Sequence, residues 1–380
     1  MATMAASAPI VLAAGGTGGH MFPAEALARE LLARGRVVAL VTDRRGQSFG
    51  DRVPDVATHR IRAGRFDAGL VGKAIGVAEL MFGIAQAGIK LRRLAPSAVI
   101  GFGGYPSVPT VLAASRLGIP SLIHEQNALL GRANRLLASR ARRIALSFAA
   151  TARLRPADRQ RAVETGNPVR PAIIAQRRHA YSVPAADGAI ELVITGGSQG
   201  ARVFSEIVPE ALALLPEPLR QRLRLSQQAR PEDIDALRAR YAASGIAAEL
   251  ASFFEDVPAR LARAQLVIAR AGASTVAELA AIGRPALLIP YPHAADDHQS
   301  ANAGAFTQSG AGWAMAQPAF TADNLASFLA ATLAAPDRLA DAAAAAKMLG
   351  RPLAAQELAD LALAMIGANG NHPAAREDAA

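Results

Sequence analysis

Residues 266–303, LVIARAGASTVAELAAIGRPALLIPYPHAADDHQSANA, constrain the fold of this chain more than any other stretch. A short apolar strand (LVIA) turns through Arg270-Ala271-Gly272-Ala273 into a helix entered at Ser274-Thr275. That helix stops at Gly283-Arg284-Pro285, and a second apolar strand (ALLIP) follows. A strand–turn–helix–strand unit of this kind builds parallel sheets. Small residues in the turn let a backbone approach a ligand closely. The helix start adds unpaired N–H groups and the positive end of the dipole, which together suit a phosphate. A plainer reading takes Thr275-Val-Ala-Glu278 as a capping box, with the glutamate reaching back to the cap. The polar run HAADDHQSANA follows the next strand, where loops of open α/β sheets meet ligands, and this favours a nucleotide-sugar site.

At 380 residues, the chain is long enough for two α/β domains of similar size. It has no cysteine, which excludes a disulfide framework and a thiolate metal site. Residues 1–170 hold 24 basic and 10 acidic side chains, a net of +14; residues 171–380 hold 17 and 21, a net of −4. A basic half beside a mildly acidic one points to an anionic partner for the first domain. Without a nucleic-acid motif, and with few aromatics to stack on bases, that partner is expected to be a membrane surface and not nucleic acid. The opening MATMAASAPIVLAAGG lacks the basic start of an export signal, and no run reaches the roughly 20 apolar residues of a membrane span. A peripheral protein is expected.

In chain order, strand Ile10–Ala13 runs into AGGTGGHMFP and a helical pattern. The glycine spacing is neither a dinucleotide fingerprint nor a Walker loop, yet such a loop brings backbone N–H groups against an anion or sugar. His20 stands at its mouth, as a local hydrogen-bonder or a base. Residues 70–91 are apolar nearly all round with Lys73 and Lys90 toward the ends, which fits a helix buried on two sides or one with a face in lipid headgroups. The charge of the domain favours lipid, with Ile75, Met81 and Phe82 as insertion residues. Two more loops follow strands: Gly103-Gly104-Tyr105-Pro106, and His124-Glu125-Gln126-Asn127 before a helix expected near Ala128. Asn167-Pro168 and Pro171 mark a linker with Arg170 beside it. The second half restarts with a strand at 192–195 and the loop GGSQGA, echoing the first. Asp296-Asp297-His298 is the one candidate metal cluster, better explained as a polar loop that orders Gln299.

The ordered set GGTGGHMFPA, GFGGYPSVP, HEQNA, TGNPVR, GGSQGA, RAGASTVAE and DDHQSANA resembles the MurG family of GT-B glycosyltransferases, over about residues 10–366. The resemblance implies two Rossmann-like, doubly wound parallel-sheet α/β domains facing across a cleft. It implies an acceptor- and membrane-binding domain at 1–168, a donor domain at 169–349, a helix at about 350–366 packing back on the first domain, and a disordered tail at 367–380. It also implies a peptidoglycan-building activity: inverting, metal-independent transfer of N-acetylglucosamine (GlcNAc) from UDP-GlcNAc to the C4 hydroxyl of lipid-linked N-acetylmuramyl-pentapeptide (lipid I). No cofactor is needed, and the site of action is the cytoplasmic face of the bacterial membrane.

The residue roles implied are these. Ser198, Arg170, Ala273, Ser274, Thr275 and Glu278 hold the UDP moiety, with Glu278 on the ribose hydroxyls. The main chain of Phe254 reads uracil, and Gln299 binds the sugar. Thr17, Gly18, Gly19 and Asn127 face the sugar and the reaction centre, while Gly103, Gly104, Tyr105 and His124 face the acceptor. His20 is the expected base, with Glu125 in reserve. His298 departs from the family pattern and inherits no contact. Two other readings compete: another GT-B UDP-sugar enzyme, including a UDP-GlcNAc epimerase, and a non-catalytic membrane-associated binding subunit. The joint presence of His20, Asn127, Glu278 and Gln299 argues against the last.

Overall fold

The computed structural model describes residues 8–15, 18–43, 53–64, 70–197 and 201–367. The chain divides into two compact units, 1–168 with 353–380, and 169–352.

The first unit carries a sheet of seven strands: β1 (Ile10–Ala13), β2 (Val38–Thr42), β3 (Ala57–Arg60), β4 (Ala98–Gly101), β5 (Ser121–Glu125), β6 (Arg143–Leu146) and β7 (Ala162–Glu164). Their order is β3-β2-β1-β4-β5-β6-β7, and every pairing is parallel. The central strands read as unbroken apolar runs because helices cover both sheet faces. β1, β2 and β4 are buried along their whole length. The edge strand β3, ATHR, is exposed and carries no apolar alternation.

The second unit repeats the plan with β8 (Ile190–Thr195), β9 (Leu223–Gln228), β10 (Ala247–Ala251), β11 (Leu266–Ala269), β12 (Ala286–Leu288) and β13 (Gly312–Ala314). The order is β10-β9-β8-β11-β12-β13, again all parallel. Strand order thus reverses between β1 and β4 in one sheet and between β8 and β11 in the other. In doubly wound sheets, ligands bind outside the strand carboxyl ends at such a reversal.

The helix after β11 spans Ala273–Ile282, one residue earlier than the sequence suggests, and its cap is Gly272 without a side-chain hydrogen bond. The alternative reading of Thr275–Glu278 as a capping box does not hold: with Gly272 as the cap, both residues lie inside the helix, and Glu278 pairs with Arg170. Gly283 closes this helix at φ 77, where a Cβ would also sit 2.8 Å from the Lys347 Cβ. Arg284, fully buried, donates to the carbonyls of Leu261, Ala262, Ile282 and Gly283, so its charge is spent on orphan backbone oxygens.

The helix Leu70–Leu94 is not buried on two sides: Ile84, Ala87 and Leu91 enter the core while Ile75, Met81, Phe82 and Ile89 are exposed. Ile75, Phe82 and Ile89 recur every seven residues and so share one stripe. No helix among the described residues is long and apolar enough to cross a membrane.

The last helix, Ala354–Gly367, lies in the first unit, where Leu358, Ala359, Ala362 and Met365 join the core around Leu12, Leu27 and Ile100. Arg34, the residue after the Gly18–Ala33 helix, holds it through Asp360 and the Gln356 carbonyl. The tail after Gly367 is outside the described residues. Leu358 is fully buried, so Leu358→Ala is expected to cost about 2–4 kcal/mol, read as a lower midpoint in urea unfolding.

Candidate active site

In the first unit, three loops on the carboxyl edge meet around His20. The β1 loop leads into the Gly18–Ala33 helix, which carries Gly18, Gly19 and His20 in its first turn. The β4 loop turns at Gly103 and Gly104, with φ values of 79° and 72° that L side chains rarely adopt. A Cβ on Gly103 would lie 3.4 Å from His20 Cε1, and one on Gly104 would lie 3.3 Å from Cδ2. These glycines form the wall on which the imidazole rests. The Ser107 hydroxyl lies 2.6 Å from the carbonyls of both Ala13 and Gly103 and ties this turn to the sheet by donating its one proton there. Tyr105 is exposed beside it.

The third loop follows β5. His20 Nδ1 lies 3.1 Å from Gln126 Oε1. The Gln126 amide donates to the Phe102 carbonyl at 3.0 Å and contacts His124 Nδ1 at 3.0 Å. His124 Nε2 in turn lies 3.0 Å from the Gly166 carbonyl. Gln126 drew no role from the sequence. Its only signal there was a place between two residues that did.

Two expectations for this loop need correction. His124 is fully buried with both ring nitrogens engaged, so it does not face an acceptor. Glu125 is not a reserve base. Its Oε1 accepts from the backbone and side-chain amides of Asn127, both at 3.0 Å. Its Oε2 accepts from the Gly131 N–H and the Asn134 amide, both at 2.8 Å. A buried carboxylate holding four donors organises a turn and has no lone pair left for a substrate proton. It also helps explain why the helix starts at Arg132 and not near Ala128: the Gly131 N–H is turned onto Glu125 and the Leu130 N–H onto the Ala152 carbonyl.

In the second unit, the reversal between β8 and β11 is bordered by the β8 loop and the turn before Ala273. Arg170 grips Glu278 in a two-pronged ion pair, Nε to Oε1 at 2.8 Å and Nη2 to Oε2 at 3.0 Å. Burial pushes the Glu278 carboxyl up, and the guanidinium opposes that shift. Two residues expected at the donor are thus partners of each other, with Glu278 on the helix whose N-terminus lacks a side-chain cap. Ala273, Ser274 and Thr275 form its first turn.

Gln299 sits in the first turn of the His298–Gln308 helix and accepts from the Tyr291 N–H at 2.9 Å. His298 contacts the Ala295 carbonyl, and Ser300 donates to Asp297. No cluster of metal-binding side chains occurs among the described residues. Phe254 follows β10, its ring stacked under the Arg260 guanidinium at 4.1 Å. Thr17 and Ser198 lie outside the described residues, as does the side chain of Lys73.

Arg270 and Asn302 also shape this edge, though neither was singled out from sequence. Arg270, between the rings of Phe204 and Tyr291, donates to the Ile289 and Pro290 carbonyls and to Gln317. Asn302 donates to the Ala271 carbonyl. Together they fix the β11 turn and the β12 loop relative to each other.

Two family models match the chain: the glycosyltransferase family 28 N-terminal domain over residues 10–146 and its C-terminal domain over residues 191–358. The chain belongs to glycosyltransferase family 28. Among family 28 relatives, a Rhodospirillum centenum protein is 58% identical over 95% of both chains, and a Paramagnetospirillum magneticum protein is 55% identical over 94% of this chain and 96% of its own. Both are named UDP-N-acetylglucosamine--N-acetylmuramyl-(pentapeptide) pyrophosphoryl-undecaprenol N-acetylglucosamine transferase. The crystal structure of Acinetobacter baumannii MurG matches with a TM-score of 0.78 at 30% identity, covering 94% of this chain and 99% of that one. The paired α/β architecture is therefore the GT-B fold. A Neisseria meningitidis UDP-GlcNAc 2-epimerase, at 12% identity and TM-score 0.65, shares the fold alone.

The family 28 site makes two measurable demands. Gly104→Ala is expected to displace the His20 ring and reduce turnover by about tenfold or more, since misplacement by about 1 Å is that costly; circular dichroism should show the fold retained. Burial holds His124 at about 4, below its ordinary 6.5. Between those values the unfolded chain binds more protons, so stability is complete above about pH 6.5 and falls as pH drops toward 4. Denaturant midpoints for wild type and His124→Gln should diverge across that window, on the order of 2–3 kcal/mol at its acid end.

Proposed function

We propose that this chain transfers GlcNAc from UDP-GlcNAc to the C4 hydroxyl of lipid-linked N-acetylmuramyl-pentapeptide, with inversion at the anomeric carbon. The observation that carries the reading is the His20 imidazole, seated against the Gly103-Gly104 turn and hydrogen-bonded in place at the reversal of the first sheet. Relatives bearing the name of this reaction align over nearly the whole chain.

The chemistry needs three things. The acceptor O4 forms a bond to the anomeric carbon while the bond to the UDP oxygen breaks and its electron pair leaves with UDP. The attacking hydroxyl loses its proton to His20. Charge developing on the departing diphosphate is met by the N-terminus of the Ala273–Ile282 helix and by the Arg170 guanidinium, which Glu278 holds beside it through Nε and Nη2.

Within the second unit, Glu278 takes the ribose hydroxyls and the main chain of Phe254 the uracil edge. Gln299 and the loop containing Ser198 hold the sugar and phosphates. Within the first, Thr17, Gly18, Gly19 and Asn127 border the reacting sugar, and Gly103, Gly104 and Tyr105 border the acceptor. The exposed stripe of Ile75, Phe82 and Ile89 with Met81, near Arg62, Lys90, Arg92 and Arg93, docks on the anionic cytoplasmic face of the membrane.

Radiolabelled transfer from UDP-GlcNAc to a short-chain lipid I analogue tests the proposal. Wild type should transfer, and His20→Ala should lose about a hundredfold or more in kcat while still binding UDP. A folded, UDP-binding wild type that transfers nothing overturns the reading.

A further inference from the structure

We infer that Gln126 is a positioning residue that fixes His20 as its Nδ1–H tautomer, making Nε2 the nitrogen that takes the acceptor proton. The inference rests on His20 serving as the base and follows from donor–acceptor accounting along one chain of side chains.

The accounting begins at Gly166, whose carbonyl can only accept. The nitrogen 3.0 Å away, His124 Nε2, therefore carries the proton. In a neutral ring this leaves His124 Nδ1 as an acceptor, and its neighbour at 3.0 Å is the Gln126 amide. The same amide end lies 3.0 Å from the Phe102 carbonyl and 3.2 Å from the His124 carbonyl. Turning the amide over would set its oxygen against three acceptors, so Gln126 has one orientation. Its oxygen then faces His20 Nδ1 at 3.1 Å, and an oxygen accepts, so that nitrogen must donate.

Each link is held by burial: His124 and Gln126 are both essentially inaccessible to water, so neither can trade its partner for solvent. Burial also keeps His124 neutral through the physiological range, as the accounting requires. The Gly103-Gly104 wall restricts the remaining freedom of the His20 ring, its rotation.

An amide in this place differs from a carboxylate. It fixes the tautomer without adding a charge that would hold the imidazolium, so the ring accepts a proton without becoming trapped in the protonated state. The Glu125 carboxylate beside it is fully bonded elsewhere in the turn.

The test uses the full-length protein labelled with 15N-histidine and long-range 1H–15N correlation, with the His20 signals assigned by their loss in His20→Gln. Wild type should show the Nδ1–H form of His20, and Gln126→Met, similar in size but unable to accept, should lose that single form. In transfer assays Gln126→Met should lower kcat by about tenfold to a hundredfold with KM for both substrates within about twofold. UDP binding by calorimetry should match wild type in this variant, which separates positioning from misfolding.

An Nε2–H form of His20 in wild type, or an unchanged tautomer and kcat in Gln126→Met, overturns the inference. If wild type shows the Nδ1–H form but His20→Ala still transfers at a wild-type rate, the base assignment falls and the catalytic part of the inference falls with it. Absent transfer by wild type with the Nδ1–H form present instead overturns the proposed function and leaves the tautomer lock as a structural fact.

Discussion

The rest of the structure depends on the polarity of the parallel strand. When every strand of a sheet runs the same way, every carboxyl end lies on one edge, and each following helix presents its N-terminus there. A reversal of strand order then separates two neighbouring loops and opens a crevice at that edge. In the first unit the loops bordering the reversal carry His20 and the Gly103-Gly104 turn. In the second they carry the GGSQGA loop and the turn into the Ala273–Ile282 helix. Backbone direction, settled before any side chain is considered, decides where the chemistry can be.

The two edges are furnished by different physics. Around His20 the buried polar groups are mostly neutral: amides, imidazole and backbone carbonyls, with the Glu125 carboxylate satisfied by four donors. A buried network of this sort is rigid because every alternative leaves a polar group unpaired in a medium that cannot solvate it. The second unit relies on guanidinium groups. Arg170 meets a carboxylate, while Arg270 and Arg284 meet only backbone oxygens, an amide and ring faces. A guanidinium offers five donors in a plane, so one side chain can collect the carbonyls of several chain segments and fix them relative to one another.

Much of this was legible in the residue order. The apolar runs that became β1, β4, β8 and β11 are short but lead into glycine turns, so their type was legible. The glycine pairs and the polar strings after strands marked the carboxyl edge, and seven of them in sequence pointed to the family. The edge strand Ala57–Arg60 gave no such sign, since a short polar strand exposed to water carries no apolar pattern. Boundaries slipped where the chain's hydrogen-bond partners lay outside the local pattern: Glu125 and the Ala152 carbonyl hold the N–H groups of Gly131 and Leu130 ahead of one helix, and another is capped by Gly272, one residue earlier than the sequence suggests.

The roles of His124, Glu125 and Gln126 show where sequence stops. Order alone established that a histidine, a glutamate, an amide and another amide lie at the carboxyl end of β5 on the ligand edge, because strand direction fixes that. It could not say which of the four would face outward. At a strand end the side chains no longer alternate strictly, and each is claimed by whichever partner the tertiary fold brings within hydrogen-bonding reach. Gly166, Phe102, Gly131 and Asn134, up to 42 residues away, make those claims. The sequence therefore determined the fold class, the edge and the chemical inventory of the site. Only the tertiary structure decided which polar groups were consumed in holding the site together.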